Sequence, residues 1–307
     1  MKKSRQLAPI MMTTYSRLAH LKRCISALKA NTLAKDSTLY ITSDGPKPGD
    51  EERVNAVRTY ILNIDGFKNI IPMFRKVNDR LQNWAVRQQI LEKHGKLIFQ
   101  EEDCETSPFY LEFMNHCLKR FQSDKEIFSV HAYCPPVRYF RNLPCSLVAL
   151  PRFSAWGFGI WADSNRQIRT SISKEEYLHL LHDRTFLKKA SRECGLSLIK
   201  LFQLIADGKL LAYDAMANLA IIRNAQTAIY PTRSLIRNFG LDGSGEHCAK
   251  TIKFDTKIIQ GLDLNDFREK PINSIRAKWE MAHFYSNGWK GRIKFLSKRL
   301  RGKYNLD

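Results

Sequence analysis

Along the first hundred residues two hydrophobic periods alternate. Apolar runs with strand character occupy Leu7 to Thr13, Thr38 to Ser43, Asn69 to Phe74 and Lys96 to Phe99, and the stretches between them repeat their apolar positions every three to four residues. The segment from about Arg17 sets Leu18, Leu21, Ile25 and Leu28 on one helical face. The next helix carries Val54, Val57 and Ile61 behind Asp50, Glu51 and Glu52, acidic residues that suit a helix N-terminus. Strands and one-faced helices in strict alternation predict an α/β fold of the Rossmann-like kind, a mostly parallel sheet flanked by helices. Ligands of such sheets bind beyond the carboxyl ends of the strands.

After Pro108 the alternation weakens. A helix is expected near Tyr110 to Phe121 and a strand near Phe128 to Ala132. A Pro- and aromatic-rich stretch then runs from Cys134 to Trp161, and the pattern is helical again from Lys174 to Lys209. No internal repeat or low-complexity linker separates the halves, so residues 109–280 should pack directly on 1–108, leaving 281–307 as a tail. From Met281 to Leu306 there is no acidic residue but seven Lys/Arg, with Trp289, Ile293, Leu296 and Leu300 spaced along one helical side. Such a segment fits either an anionic membrane surface, met through 286–304, or a docked terminal helix with a solvated basic face.

Composition narrows the class. The 307 residues hold 50 Lys+Arg against 30 Asp+Glu, a net charge of +20, with 44% hydrophobic and 11% aromatic residues, which describes a folded basic protein and not a solvated tail. No apolar run approaches the roughly 20 residues needed to span a bilayer. The cationic opening is broken by Pro9 and leads into no small-residue cleavage site, so it reads as a first strand and not an export signal. Seven cysteines without a C-x-x-C pair signal neither a disulfide framework nor a zinc ribbon and suit a reducing cytoplasm. A charge of +20 also fits a nucleic-acid binder, but no helix-turn-helix, zinc or RNP signature accompanies it.

The strand ends carry the candidate chemistry. The first ends in Thr13-Thr14-Tyr15-Ser16-Arg17, the second in Ser43-Asp44-Gly45-Pro46, and the fourth in Glu101-Glu102-Asp103. With Glu105, the last sets four carboxylates within five residues. A hard cation such as Mg²⁺ or Mn²⁺, which takes carboxylate oxygens and shares its remaining positions with water and substrate phosphates, would relieve their repulsion; a solvated acidic turn is the alternative. Cys104, inside this cluster, reads as a bystander thiol. Asp44 could accept the imide N–H of a uracil-type base beside Thr13 and Arg17, or could serve a plain turn.

In this order, and followed by Thr106-Ser107-Pro108 and then by Pro151-Arg152-Phe153-Ser154-Ala155-Trp156-Gly157-Phe158-Gly159-Ile160-Trp161, the motifs resemble GT-A glycosyltransferases. More closely they resemble bacterial sugar transferases related to the N-acetylglucosaminyltransferase I family, over about Leu7 to Cys248. The resemblance implies that Asp103 holds the metal of a nucleotide-sugar diphosphate. Thr13, Tyr15, Arg17, Asp44, Glu101 and Glu102 would then face the donor, and Trp156 and Gly157 would line the sugar pocket. In Ala212-Tyr213-Asp214 it makes Asp214 the catalytic base. In the glycine-rich stretch Gly240 to Gly245 it places Ser244 and His247 near the diphosphate, with Arg233 or Arg237 to neutralise the leaving group. Two departures touch donor contacts: Asn78 to Trp84 lacks the family's glycine, and Glu102 stands where an Asp is usual.

The expectation is therefore an inverting, metal-dependent hexosyl- or N-acetylhexosaminyltransferase. Its donor would be a nucleotide sugar, a UDP-sugar in the first instance. Its acceptor would be a glycan or lipid-linked sugar of surface polysaccharide synthesis, met on the cytoplasmic face of the membrane. A nucleotidyltransferase would use the same carboxylate-metal logic but release pyrophosphate.

Overall fold

In the computed structural model, residues 6–169, 172–244, 250–291 and 293 are described; His247 and the tail beyond 293 lie outside them. In chain order the strands are β1 (Ile10–Thr14), β2 (Thr38–Ser43), β3 (Asn69–Phe74), β4 (Lys96–Glu101), β5 (Cys104–Thr106), β6 (Ile127–His131), β7 (Leu147–Leu150), β8 (Phe158–Trp161), β9 (Thr227–Pro231) and β10 (Ile236–Asn238). Eight of them form one sheet in the order β3-β2-β1-β4-β8-β6-β9-β7, while β5 and β10 form a separate antiparallel ribbon. In the large sheet β8 and β7 run against the other six strands. The sheet is thus mostly parallel and continuous from the first half of the chain into the second.

The helices are α1 (Leu18–Lys29), α2 (Glu51–Leu62), α3 (Arg80–His94), α4 (Tyr110–Arg120), α5 (Arg138–Arg141), α6 (Ala162–Arg166), α7 (Lys174–His182), α8 (Arg184–Glu193), α9 (Leu196–Ala206), α10 (Tyr213–Arg223) and α11 (Ile275–Tyr285). Both faces of the sheet are covered, and the period of two assigns side chains to each. On one face Met12, Ile98 and Val130 join Leu21, Ile25 and Leu28 of α1 and Phe113, Met114 and Leu118 of α4. On the other, Met11, Leu97 and Phe99 join Val86 and Ile90 of α3, Met216 and Ile221 of α10, and Met281 of α11. A third cluster ties α7, α8, α9 and α10 together around Tyr177, Leu198 and Phe202.

The apolar period from Lys174 to Lys209 is interrupted twice. Asp183 closes α7 and caps α8, accepting the N–H groups of Thr185 and Phe186. Gly195, at φ +84°, then turns the chain into α9, where a Cβ would lie 2.6 Å from the Ala282 carbonyl. No helix among the described residues is long and apolar enough to cross a membrane.

Strand β8 joins the two halves. Phe158 is fully buried, 5.1 Å from the Phe99 ring centroid and 4.6 Å from that of Phe153. Phe158→Ala should lower unfolding stability by about 3–5 kcal/mol, read as a reduced urea midpoint; a midpoint equal to wild type would remove this ring from the packing that joins the halves.

Candidate active site

The register places Thr13 opposite both Thr42 and Glu101, so the carboxyl ends of β2, β1 and β4 lie side by side. Arg17, the residue preceding α1, reaches across this edge. Its Nε donates to Glu102 Oε1 at 2.8 Å and its Nη2 to Asp103 Oδ2 at 2.8 Å. The second oxygen of Glu102 accepts the backbone N–H of Tyr15 at 3.0 Å. Both Glu102 oxygens are therefore engaged, and the side chain serves as a brace between β1 and β4.

Asp103 is buried against the β5–β10 ribbon. Its carbonyl accepts the Phe239 N–H at 2.9 Å, its Oδ1 faces Asn238 Nδ2 at 3.4 Å, and a Cβ on Gly240 would fall 2.1 Å from its Oδ2. Only glycine at 240 leaves room for that carboxylate. The segment is fastened to α1, since the Phe239 ring stacks on His20 at 5.2 Å, the Arg23 guanidinium lies 4.3 Å above the same ring, and His20 Nε2 meets Asp242 Oδ2 at 3.2 Å.

Charge is concentrated here. Burial works against the Arg17 cation, yet Asp103 and Glu102 hold its pKa above the usual guanidinium value. Burial lifts the Glu102 carboxyl above the ordinary range despite the pull of Arg17. Glu101 is raised well above that range, first by burial and then by the charges of Asp103 and Asp214. Ligand atoms of Glu101, Asp103 and Cys104 lie within 4.8 Å of one another. Burial and the adjacent carboxylates push the Cys104 thiol well up, so it stays protonated and leaves an oxygen donor set suited to Mg²⁺ or Mn²⁺.

At the end of β2 the Asp44 carboxylate accepts from Asn83 Nδ2 at 3.0 Å and lies 3.8 Å from Arg75 Nε. Asn83 Oδ1 in turn accepts from Thr42 Oγ1 at 3.0 Å. The glycine-free stretch 78–84 thus supplies the polar support of Asp44, while Asp79 caps α3 by accepting the Leu81 N–H. Tyr15 turns towards the loop after β2, donating to Asp50 Oδ2 at 2.6 Å and accepting the Lys47 N–H at 2.9 Å.

Asp214 sits in the first turn of α10, where its Oδ1 accepts the Ala215 N–H at 2.9 Å. Burial raises its carboxyl, and the Arg152 charge draws it partly back. Its neighbour Tyr213 locates it: the ring stacks on Phe158 at 6.0 Å, the buried Arg87 guanidinium lies 3.8 Å above it, and the hydroxyl donates to Asn165 Oδ1 at 2.7 Å. Trp156 is edge-on to Tyr133 at 4.8 Å and to Phe254 at 5.5 Å. Gly157, at φ +59°, has no space for a Cβ against Ile236 Cδ1, 2.5 Å away.

The structure brings together Thr13, Arg17, Glu101, Glu102 and Asp103, with Asp214 in electrostatic reach and Asp44 one strand away. Other expected groups are engaged in contacts of their own. Arg233 donates to the carbonyls of Phe140, Arg141, Thr232 and Leu143, so its guanidinium is a structural clamp. Arg237 pairs with Asp255 at 2.7 Å, and the Ser244 N–H donates to Asp242 at 2.9 Å on an exposed turn. Sequence reasoning missed Asn83, Arg87, Asn238 and Gly240 as parts of the site. Asn83 falls in the glycine-free stretch singled out above without its own role being visible, and Arg87 lies inside a helical run with nothing local to mark it. Gly240 carried a visible signal as the first of three close glycines.

No family model and no curated protein matches the chain. Solved structures do align. A Staphylococcus aureus TarS segment, residues 1–349, aligns at 12% identity and a TM-score of 0.39 over 73% of this chain and 57% of that one. The mannosyltransferase PcManGT from Pyrobaculum calidifontis, in complex with GDP-Man and Mn²⁺, aligns at 10% identity and a TM-score of 0.36 over 73% and 76%. The galactosyltransferase LgtC, in complex with donor and acceptor sugar analogues, aligns at 11% identity and a TM-score of 0.35 over 71% and 70%. The chain thus spans less than two thirds of the TarS segment.

Removing the brace exposes the charge conflict it resolves. With 23% of its side chain reached by solvent, Arg17 stabilises less than a fully buried ion would; Arg17→Gln should cost about 2–4 kcal/mol at pH 8. Without the guanidinium, the Glu101 and Glu102 carboxyl pKa values rise further above their unfolded values. That contribution to stability is present at low pH and lost as pH rises, so the deficit should shrink at pH 5. Urea denaturation at the two pH values reads it, and a deficit independent of pH would refute the charge account.

Proposed function

We propose that the chain is an inverting glycosyltransferase that transfers a hexosyl or N-acetylhexosaminyl group from a nucleotide sugar, a UDP-sugar in the first instance, to an acceptor hydroxyl of a glycan or lipid-linked sugar. The observation that carries the reading is the Arg17-braced acidic run at the carboxyl ends of β1 and β4, with Asp214 near enough for its charge to act on Glu101. The adjoining nucleobase candidate Asp44 supports it. Two of the aligned structures are a mannosyltransferase and a galactosyltransferase, but the reading rests on the chain's own residues.

Asp103 and Glu101 would hold a divalent cation, whose Lewis acidity supplies charge neutralisation for the departing diphosphate. Arg17 keeps Asp103 oriented and removes Glu102 from competition for that cation. Asp44, steadied by Asn83, accepts the imide N–H of the base. The acceptor oxygen attacks the anomeric carbon on the face opposite the diphosphate. The bond from that carbon to the phosphate oxygen breaks, its electron pair leaves with the nucleoside diphosphate, and the hydroxyl proton passes to Asp214. The rings of Phe153, Phe158 and Tyr213 pack together at the first turn of α10, beside Asp214 in sequence.

UDP release from a matched UDP-sugar should require Mn²⁺ or Mg²⁺ and vanish in Asp103→Ala while the circular dichroism spectrum is retained. Undiminished turnover would discard the metal role, and release of pyrophosphate would assign nucleotidyl transfer instead. Asp214→Asn should lower kcat by about 10²–10⁴-fold with donor binding retained. Because the base acts deprotonated and its folded pKa is raised, wild-type kcat should climb with pH through a value above the ordinary 3.8 and then level off. A pH profile with the same acid limb in Asp214→Asn would exclude Asp214 as the base.

A further inference from the structure

Helix α11 buries Ala277, Met281, Ala282 and Tyr285 against the core and turns Ile275, Trp279 and His283 outward at intervals of four residues. Ile275 is 87% exposed and Trp279 40%. Trp279 stacks on His283 with ring centroids 4.7 Å apart and planes inclined by 18°. The chain then reverses through Asn287 at φ +58° and Gly288 at φ +64°. The reversal returns Trp289 to within 5.5 Å of His283 and 6.4 Å of Trp279. Trp289 is 64% exposed, and Ile293, four residues on, is 65% exposed. Two segments therefore join in one apolar, aromatic surface, whereas the pattern of the tail alone marked only Trp289 and Ile293 among these residues.

The charge around this surface is one-sided. Over the described residues 275–291 the sequence has Arg276, Lys278 and Lys290 against a single acidic residue, Glu280, which lies 3.9 Å from Arg276. Lys278 and Lys290 flank the two tryptophans in sequence. Indole rings combine a large apolar body with one N–H donor and favour the boundary between hydrocarbon and headgroups. Lysine and arginine beside them meet anionic headgroups and keep their charge in water. The aliphatic Ile275 and Ile293 continue the apolar character of the surface beyond the rings.

We propose that the surface formed by Ile275, Trp279, Trp289 and Ile293 docks the protein on an anionic lipid layer, with the indoles at headgroup depth and the surrounding Lys/Arg on the lipid charge. The docking surface extends upstream of the basic tail onto α11, and the interaction is apolar insertion combined with charge. It stands independently of the proposed glycosyl transfer.

The test uses the full chain with phosphatidylcholine vesicles containing, or lacking, about a third phosphatidylglycerol. Wild type should cosediment with the anionic vesicles, and brominated acyl chains should quench its tryptophan fluorescence. A residual fraction should stay bound in high salt. The double variant Trp279→Ser/Trp289→Ser should lose about tenfold or more in vesicle partitioning, including the salt-resistant fraction. Its release of UDP from a soluble donor should match wild type, which separates failure of docking from failure of catalysis. Equal vesicle binding by variant and wild type would overturn the proposal. So would the absence of bromolipid quenching, or quenching by soluble oligosaccharide without vesicle binding. A second variant, Ile275→Ser/Ile293→Ser, changes only aliphatic contacts and should also weaken salt-resistant binding.

Discussion

One guanidinium organises the candidate site. Arg17 leaves the end of β1 at the start of α1 and meets the two carboxylates that follow β4. Four charged groups, Glu101, Glu102, Asp103 and Arg17, are crowded where water is scarce. Without a cation among them the carboxylates would repel one another or take up protons. The pairing also sorts the run by role. Both Glu102 oxygens are taken by Arg17 and the Tyr15 N–H, whereas Asp103 meets Arg17 with one oxygen and only the longer Asn238 contact with the other, and its ligand atom lies within 4.8 Å of that of Glu101. Three adjacent acidic residues in sequence thus become one brace and one pair of ligands.

The pairing depends on the sheet, and the sheet on packing far from the charge. β4 stands beside β1 on one side and antiparallel β8 on the other, so the acidic run and the Phe158 ring belong to a single unit. Arg87 fills the space between the Phe99 and Tyr213 rings, at 4.6 and 3.8 Å from their centroids. Burial lowers its pKa, and the ring faces offset part of that cost. Tyr213 is thereby fixed at the first position of α10, and Asp214 follows it. The catalytic candidate from the second half is placed by aromatic contacts to the first, which is why a rigid sheet can hold two carboxylate positions separated by more than a hundred residues of chain.

How much of this was legible follows from the range of each interaction. β1, β2 and β4 could be read because strands buried on both faces are nearly continuous apolar runs, and the edge strand β3 because of its own short apolar run; the structure moves their ends by no more than three residues. The acidic run was visible as a cluster. Its division into brace and ligands was not, because the deciding contact joins residues 85 and 86 positions apart. The wall formed by Asn238 and Gly240 comes from 135 residues downstream and left only a glycine-rich stretch as a trace. Helix α11 was not legible because its outward Ile275 and Trp279 blur the amphipathic pattern by which a docked helix is recognised.

The stretch from Asn78 to Trp84 shows how an apparent departure can acquire a physical role. In place of a glycine that would admit a ligand to the backbone, it offers Asn83, which accepts from Thr42 and donates to Asp44. An ionised carboxylate can accept but cannot donate. On the proposed reading, Asp44 thus matches a base edge that presents an N–H, as uracil does, and repels one that presents a lone pair at the same position, as cytosine does. Fixing Asp44 with Asn83 and Arg75 makes that discrimination one of orientation as well as charge, because a carboxylate that could rotate away would tolerate either edge. On that reading the polar segment would therefore sharpen the choice of nucleotide.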